Sequence, residues 1–146
     1  MKNRWKVIII IGISILLLIQ LFPGDRTNPP VTGEIQTSAE MNKILQKSCY
    51  DCHSHQTRWP WYSRIAPSSW LVIHDVDEGR EHLNFSTWNN YTSREKIKIY
   101  EEIREVLKEE EMPLKPYLWL HPEAGLSEED KQALFQWVSQ TGSDTL

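Results

Sequence analysis

"KSCYDCHSHQTRW", Lys47 to Trp59, holds both cysteines of a 146-residue chain. Cys49 and Cys52 stand three positions apart, and His53 follows directly. A chain that spends all its thiols within four positions and adds an imidazole has a specific use for that stretch. Before it runs a helical pattern. After it comes the aromatic segment "TRWPWYSRIAP", Thr57 to Pro67.

C-x-x-C-H is the attachment signature of c-type haem. Two thiols add to the two vinyl groups on one porphyrin edge, and the following histidine supplies an axial ligand to the iron. The expected roles are thioether bonds from Cys49 and Cys52 and an iron bond from His53. Three rival readings use the same residues. A thioredoxin-like redox pair calls for a βαβ context, which is missing. A zinc site from Cys49, Cys52, His53 and His55 has suitable ligand types, but structural sites usually draw on two separated pairs. A disulfide between Cys49 and Cys52 would close too short a loop to stabilise much.

Outward from the motif, the local signals are helical. Thr37 and Glu40 read as a capping box, followed by Met41, Ile44, Leu45 and Ser48 on one face. A second helix is expected from about Pro67, carrying Trp70, Leu71, Ile73 and His74. Thr92 and Glu95 form another capping box ahead of a stripe of Ile99, Ile103 and Leu107. Ser127 opens the last helix, with Ala133, Leu134, Trp137 and Val138 inward and Gly142 after its end. No alternating strand pattern occurs, so the expected class is all-α. Seven tryptophans are many for this length; they imply an aromatic core or the wrapping of something flat and apolar.

The first residues read as an anchor. "MKNRWK" is basic and Val7 to Phe22 is almost wholly apolar. Sixteen helical residues rise about 24 Å, slightly short of a hydrocarbon core of about 30 Å. Trp5 and Lys6 extend the span at the interface. A cleaved signal peptide would need small residues at its cleavage site, and "QLFPGD" offers none. Lys2, Arg4 and Lys6 place the N-terminus in the cytoplasm and the rest outside, on the periplasmic side. Residues 1–22 are thus the expected anchor, 23–36 a Pro- and Gly-bearing linker, and 37–146 the folded domain. Apart from Lys2, Arg4 and Lys6, thirteen basic residues face 20 acidic ones, a formal −7. This argues against a nucleic-acid partner.

The haem reading raises the question of the sixth iron position. Met112, in "EEEMPLKPY" where a charged helix meets a Pro-rich loop, is the favoured ligand, and a thioether there raises the reduction potential. His74 is the alternative. His82 and His121 rank below it, and His55 is too near His53 to reach the opposite ring face. An iron with no sixth ligand would be open to small molecules. Trp59, Trp61 and Tyr62 are expected against the porphyrin edge, with Arg58 or Arg64 pairing a propionate.

These residues carry a resemblance. An amphipathic helix entering C-x-x-C-H, a methionine in a later loop and a C-terminal "LSEEDKQALFQWV" helix make the chain resemble class I cytochrome c. More closely, "CYDCHSHQTRWPWYSRIAPSSWLVIHDVDEGREHLNFSTW" and "EEMPLKPYLWLHPEAGLSEED" are similar to the small bacterial haem-binding domain family, whose members are membrane-anchored or exported. The resemblance implies a cytochrome c-like helical domain with one covalent haem at Cys49 and Cys52 and His53 proximal. The function expected is single-electron transfer with an unidentified redox protein partner, without catalysis. The alternatives are a haem enzyme or gas or redox sensor with an open sixth position, and a structural zinc or disulfide module without haem.

Overall fold

The computed structural model describes residues 2–144 and is all-α, with seven helices and no strand among the described residues. They are α1 (Lys2–Leu18), α2 (Ala39–Ser48), α3 (Tyr50–His53), α4 (Ser68–His82), α5 (Ser93–Lys108), α6 (Lys115–Leu120) and α7 (Glu128–Asp144). Short 3-10 turns cover Ile19–Leu21, Trp61–Arg64, Trp88–Asn90 and Pro122–Ala124.

Sequence chemistry explains most boundaries. α5 opens on the expected box: Thr92 Oγ1 accepts from the Glu95 amide, and the Glu95 carboxylate accepts from the Thr92 amide at 2.7 Å. At its far end the Glu111 amide reaches the Val106 carbonyl at 2.9 Å, a Schellman closure with Glu110 left-handed at φ 55°. α2 differs from expectation by one residue. Its N-cap is Ser38, whose Oγ accepts from the Met41 amide at 3.1 Å, so the Thr37–Glu40 box does not form. Extended backbone at Ser38 places the cap there. α7 runs through Gly142 to Asp144 and does not stop before the glycine.

α5 packs along α7, and α2 crosses α7. Their inward faces join Met41, Leu45, Ile99, Leu107, Leu134 and Val138 in one core. A run of rings continues it: Tyr50 stacks on Phe85 at 5.3 Å, Trp88 lies 5.5 Å from Tyr100, and Tyr100 meets Trp137 edge-on at 5.3 Å. Part of the tryptophan excess is therefore structural core.

Residues 23–36 are no free spacer. The Arg26 guanidinium donates to the Ser63 carbonyl, and Asn28 Nδ2 donates to that of Thr57 at 2.9 Å. The amides of Gly33 and Ile35 donate to the carbonyls of Ser86 and Phe85, both at 3.0 Å. Gly24 sits so close to α4 that a Cβ there would lie 2.5 Å from Ile73 Cδ1. The segment is a strap seated on the domain. α1 is exposed from Arg4 to Leu18, and Arg4–Leu21 is long and apolar enough to cross a membrane, with mean hydropathy 2.0.

Candidate functional site

The motif folds as a hinge between two helices. Cys49 ends α2, and its carbonyl accepts from the amides of Cys52 at 3.2 Å and His53 at 2.9 Å, making the single turn of α3. Both cysteines are half-buried free thiols. Burial, reinforced by neighbouring negative charge, pushes each thiol up to about 12. They are protonated at neutral pH, unlike the low-pKa thiol of a redox pair.

The His53 ring is held from behind. Its Nδ1 lies 2.8 Å from the Gly79 carbonyl oxygen and 3.2 Å from that of Leu83. Both partners are acceptors, so Nδ1 carries the proton and Nε2 keeps its lone pair. Burial pushes the imidazole pKa down, against a smaller opposing effect of the two carbonyl contacts, so the ring stays neutral. Nε2 has no hydrogen-bond partner among the described residues, and the ring lines a cavity of about 850 Å³. That volume lies within the roughly 300–1,000 Å³ of ligand pockets.

The cavity is walled mainly by apolar side chains, among them Leu45, Val72, Val76, Ile103, Leu107 and Leu126. Cys49, Cys52 and His53 line it on one side, and Met112, Pro113 and Leu114 enter from the loop after α5. A polar group completes the lining. Asp51 accepts from the Arg58 guanidinium at 3.0 Å and from the Tyr117 hydroxyl at 2.8 Å. The Tyr62 hydroxyl is hydrogen-bonded to His121 Nε2 at 2.7 Å, and Tyr117 stacks on the His121 ring at 4.4 Å.

The structure therefore brings Cys49, Cys52, His53, Tyr62, Arg58 and Met112 to one cavity. His82 and His121, the lower-ranked histidines, also line it, whereas His74, Trp59, Trp61, Arg64 and His55 do not. His74 lies outside it, with a side chain 63% exposed and Glu78 at 3.8 Å. Trp59 packs under the Arg80 guanidinium, 5.9 Å from ring centroid, and donates to Asn28 Oδ1. Trp61 is 75% exposed and Arg64 is also exposed; neither lines the cavity. The chain after His53 is tied to the strap, which turns these side chains away. His55 is also turned away: it donates to the Pro30 carbonyl and accepts from Asn84 Nδ2. Among the described residues no three His, Cys, Asp or Glu are placed to hold a metal ion, against the zinc alternative.

Sequence reasoning missed the residues that build the back of the site. A Cβ on Gly79 would lie 2.8 Å from the Cys52 carbonyl oxygen, so only glycine lets α4 approach α3 this closely. Arg80 donates to the Ser54 carbonyl at 2.9 Å, to that of Thr27, and to Asn28 Oδ1 and Thr57 Oγ1. The Phe85 amide donates to the His53 carbonyl at 2.9 Å. The "HDVDEGREHLNFS" block thus scaffolds the motif; its signal was the paired Gly-Arg inside a helical pattern.

A cavity of this size, with a neutral imidazole lone pair beside two thiols, defines a helical domain suited to a large flat cofactor with a metal centre. A family model, the haem-binding domain, matches residues 14–140. The chain belongs to that family. The match includes the strap, consistent with its being part of the folded unit. No curated protein and no solved structure matches the chain.

Proposed function

We propose that the chain is a membrane-anchored, extracytoplasmic c-type cytochrome domain that binds one haem through Cys49 and Cys52 and passes single electrons to a redox protein partner. The observation that carries this reading is the His53 ring, with Nδ1 held by the carbonyls of Gly79 and Leu83 and Nε2 without a partner among the described residues, lining the same cavity as both thiols. A carbonyl that accepts from the far ring nitrogen fixes a ligating histidine's tautomer and orientation.

When bound, haem supplies a one-electron Fe(III)/Fe(II) couple whose potential is set by axial ligands and surroundings. The residues present fit it. Cys49 and Cys52 would hold its edge, and His53 would ligate through Nε2. Met112 is 37% exposed and lines the cavity, where its thioether would serve as the second ligand. The mainly apolar wall would penalise the charged ferric form relative to the neutral ferrous one, which raises the potential. Asp51, already satisfied by Arg58 and Tyr117, keeps its charge turned into hydrogen bonds. The exposed apolar helix α1 supports the anchor, and Lys2, Arg4 and Lys6 favour its N-terminus inside.

A covalent-haem stain on a denaturing gel tests the attachment. The full chain should stain, and a Cys49→Ala, Cys52→Ala double variant should not. Haem lost on denaturation of the unaltered chain would exclude the c-type assignment.

A further inference from the structure

The junction between α1 and the domain is held by side-chain hydrogen bonds. The Gln20 side-chain amide pairs with the Ala66 backbone in both directions: Nε2 donates to the Ala66 carbonyl at 3.0 Å, and Oε1 accepts from the Ala66 amide at 3.0 Å. Four residues on, Trp70 Nε1 donates to the Phe22 carbonyl at 2.9 Å. The last turn of the apolar helix is therefore clamped to the segment from Trp61 to Leu71.

That same segment turns large apolar side chains outward. Trp61 is 75% exposed, Ile65 48%, Trp70 41% and Leu71 59%. A fold that buries Leu45, Phe85 and Leu134 almost completely has no packing reason to leave Trp61, Ile65 and Trp70, which lie outside the cavity, in water. From Trp59 to Ile73 there is no acidic residue, in a chain of formal net charge −4, and Arg64 stands exposed among the apolar groups. Tryptophan with apolar neighbours and a cation is the composition of a membrane–water interface.

We propose that the Trp61–Leu71 segment is a lipid-resting face, which lays the domain on the bilayer at the point where α1 emerges. This rests on α1 being a membrane anchor. Trp70, joined to the Phe22 carbonyl, sits at headgroup level when α1 spans the hydrocarbon core. Trp61 and Ile65 dip into the same layer, and Arg64 meets anionic headgroups. The occupant is the lipid surface, because the face is continuous with the helix that enters it. Leu71 also lines the cavity, so the haem opening would lie beside the membrane plane.

The test uses the haem-loaded full chain in vesicles of phosphatidylcholine and phosphatidylglycerol. A photo-crosslinking benzoylphenylalanine replaces Ile13, Ile65 or Lys98 in turn, and lipid adducts are read by mass spectrometry. Adducts at positions 13 and 65, with none at the α5 position 98, are expected. Adducts at 13 without any at 65 overturn the resting face and leave the anchor intact. Absence at 13 overturns the anchor, and the resting face with it. Equal adducts at 65 and 98 overturn the oriented contact.

Discussion

His53 directs Nδ1 at the carbonyl oxygen of Gly79, 2.8 Å away, and that carbonyl is reachable because Gly79 has no side chain to collide with Cys52. One residue thus supplies the acceptor and permits the approach. The distance between α3 and α4 and the aim of the imidazole are the same structural fact.

Gly79→Ala should accordingly disturb both. Its Cβ would meet backbone at 2.8 Å, which α4 can relieve only by moving away. A stability loss of about 1–3 kcal/mol is expected from overpacking. Denaturant unfolding measures it. The reduction potential should shift as well, because the histidine loses its orienting acceptor; a Gly79→Ala protein with unchanged stability and potential would refute the coupling.

Met112 sits in the cavity lining two residues after the left-handed Glu110. If it ligates, Met112→Ala should lower the reduction potential and remove the weak red charge-transfer band of Met-ligated ferric haem. The reduced variant should also bind carbon monoxide rapidly. An unaltered spectrum would remove Met112 as ligand, and rapid carbon monoxide binding by the unaltered protein would favour a sensor or enzyme.

Arg80→Lys keeps a charge but loses the planar fork that reaches Ser54, Thr27, Asn28 and Thr57. A stability loss of about 1.5–3 kcal/mol is expected for hydrogen bonds made by a charged group. Limited proteolysis should then cut within residues 23–36, where the unaltered protein resists. Equal resistance in both proteins would show that the strap holds without this residue.

Asp130 carries a pH dependence. Lys47 Nζ at 2.6 Å, and then the Ser127 amide, hold its carboxyl below the usual carboxylate range. A depressed folded-state pKa contributes stability that is present above the ordinary value, about 3.9. That contribution is lost as pH falls through the lower folded-state value. Asp130→Asn should destabilise by up to about 1 kcal/mol at neutral pH. The difference from the unaltered protein should shrink as the pH drops below that range. A difference independent of pH would assign the effect to the helix cap alone.

Glu110→Gly should raise the melting temperature, since glycine adopts φ 55° without the steric penalty that glutamate meets there. The exposed Lys131–Glu110 pair that it removes offsets this only slightly. A lowered melting temperature would show that the ion pair outweighs the backbone relief.

Much of this protein is written locally. The α5 box needs only Thr92 and Glu95 three residues apart, and hydrophobic spacing suffices to place Ile99 and Leu107 inward. The C-x-x-C-H order and the apolar run from Val7 are local as well. Other features have no local sign. Ser38 displaces Thr37 as cap by its backbone angle. Trp59 and Trp61 read as cofactor contacts because they follow the motif, yet strap contacts turn the chain after His53 so that only Tyr62 of that trio lines the cavity. Tyr117 in α6 and His121 just after it join the cavity from far along the chain, through Asp51 and Tyr62.

By itself, then, the sequence determined the helical class, the clustered thiols with their histidine, and the apolar first helix, because each depends on neighbours within a turn or two. Which face His53 presents, which aromatic side chains reach the cavity, and the seating of residues 23–36 on the domain were decided only by tertiary structure. Those depend on carbonyls, a missing Cβ and a guanidinium brought together from distant positions, and a linear pattern cannot show which distant groups will share a space.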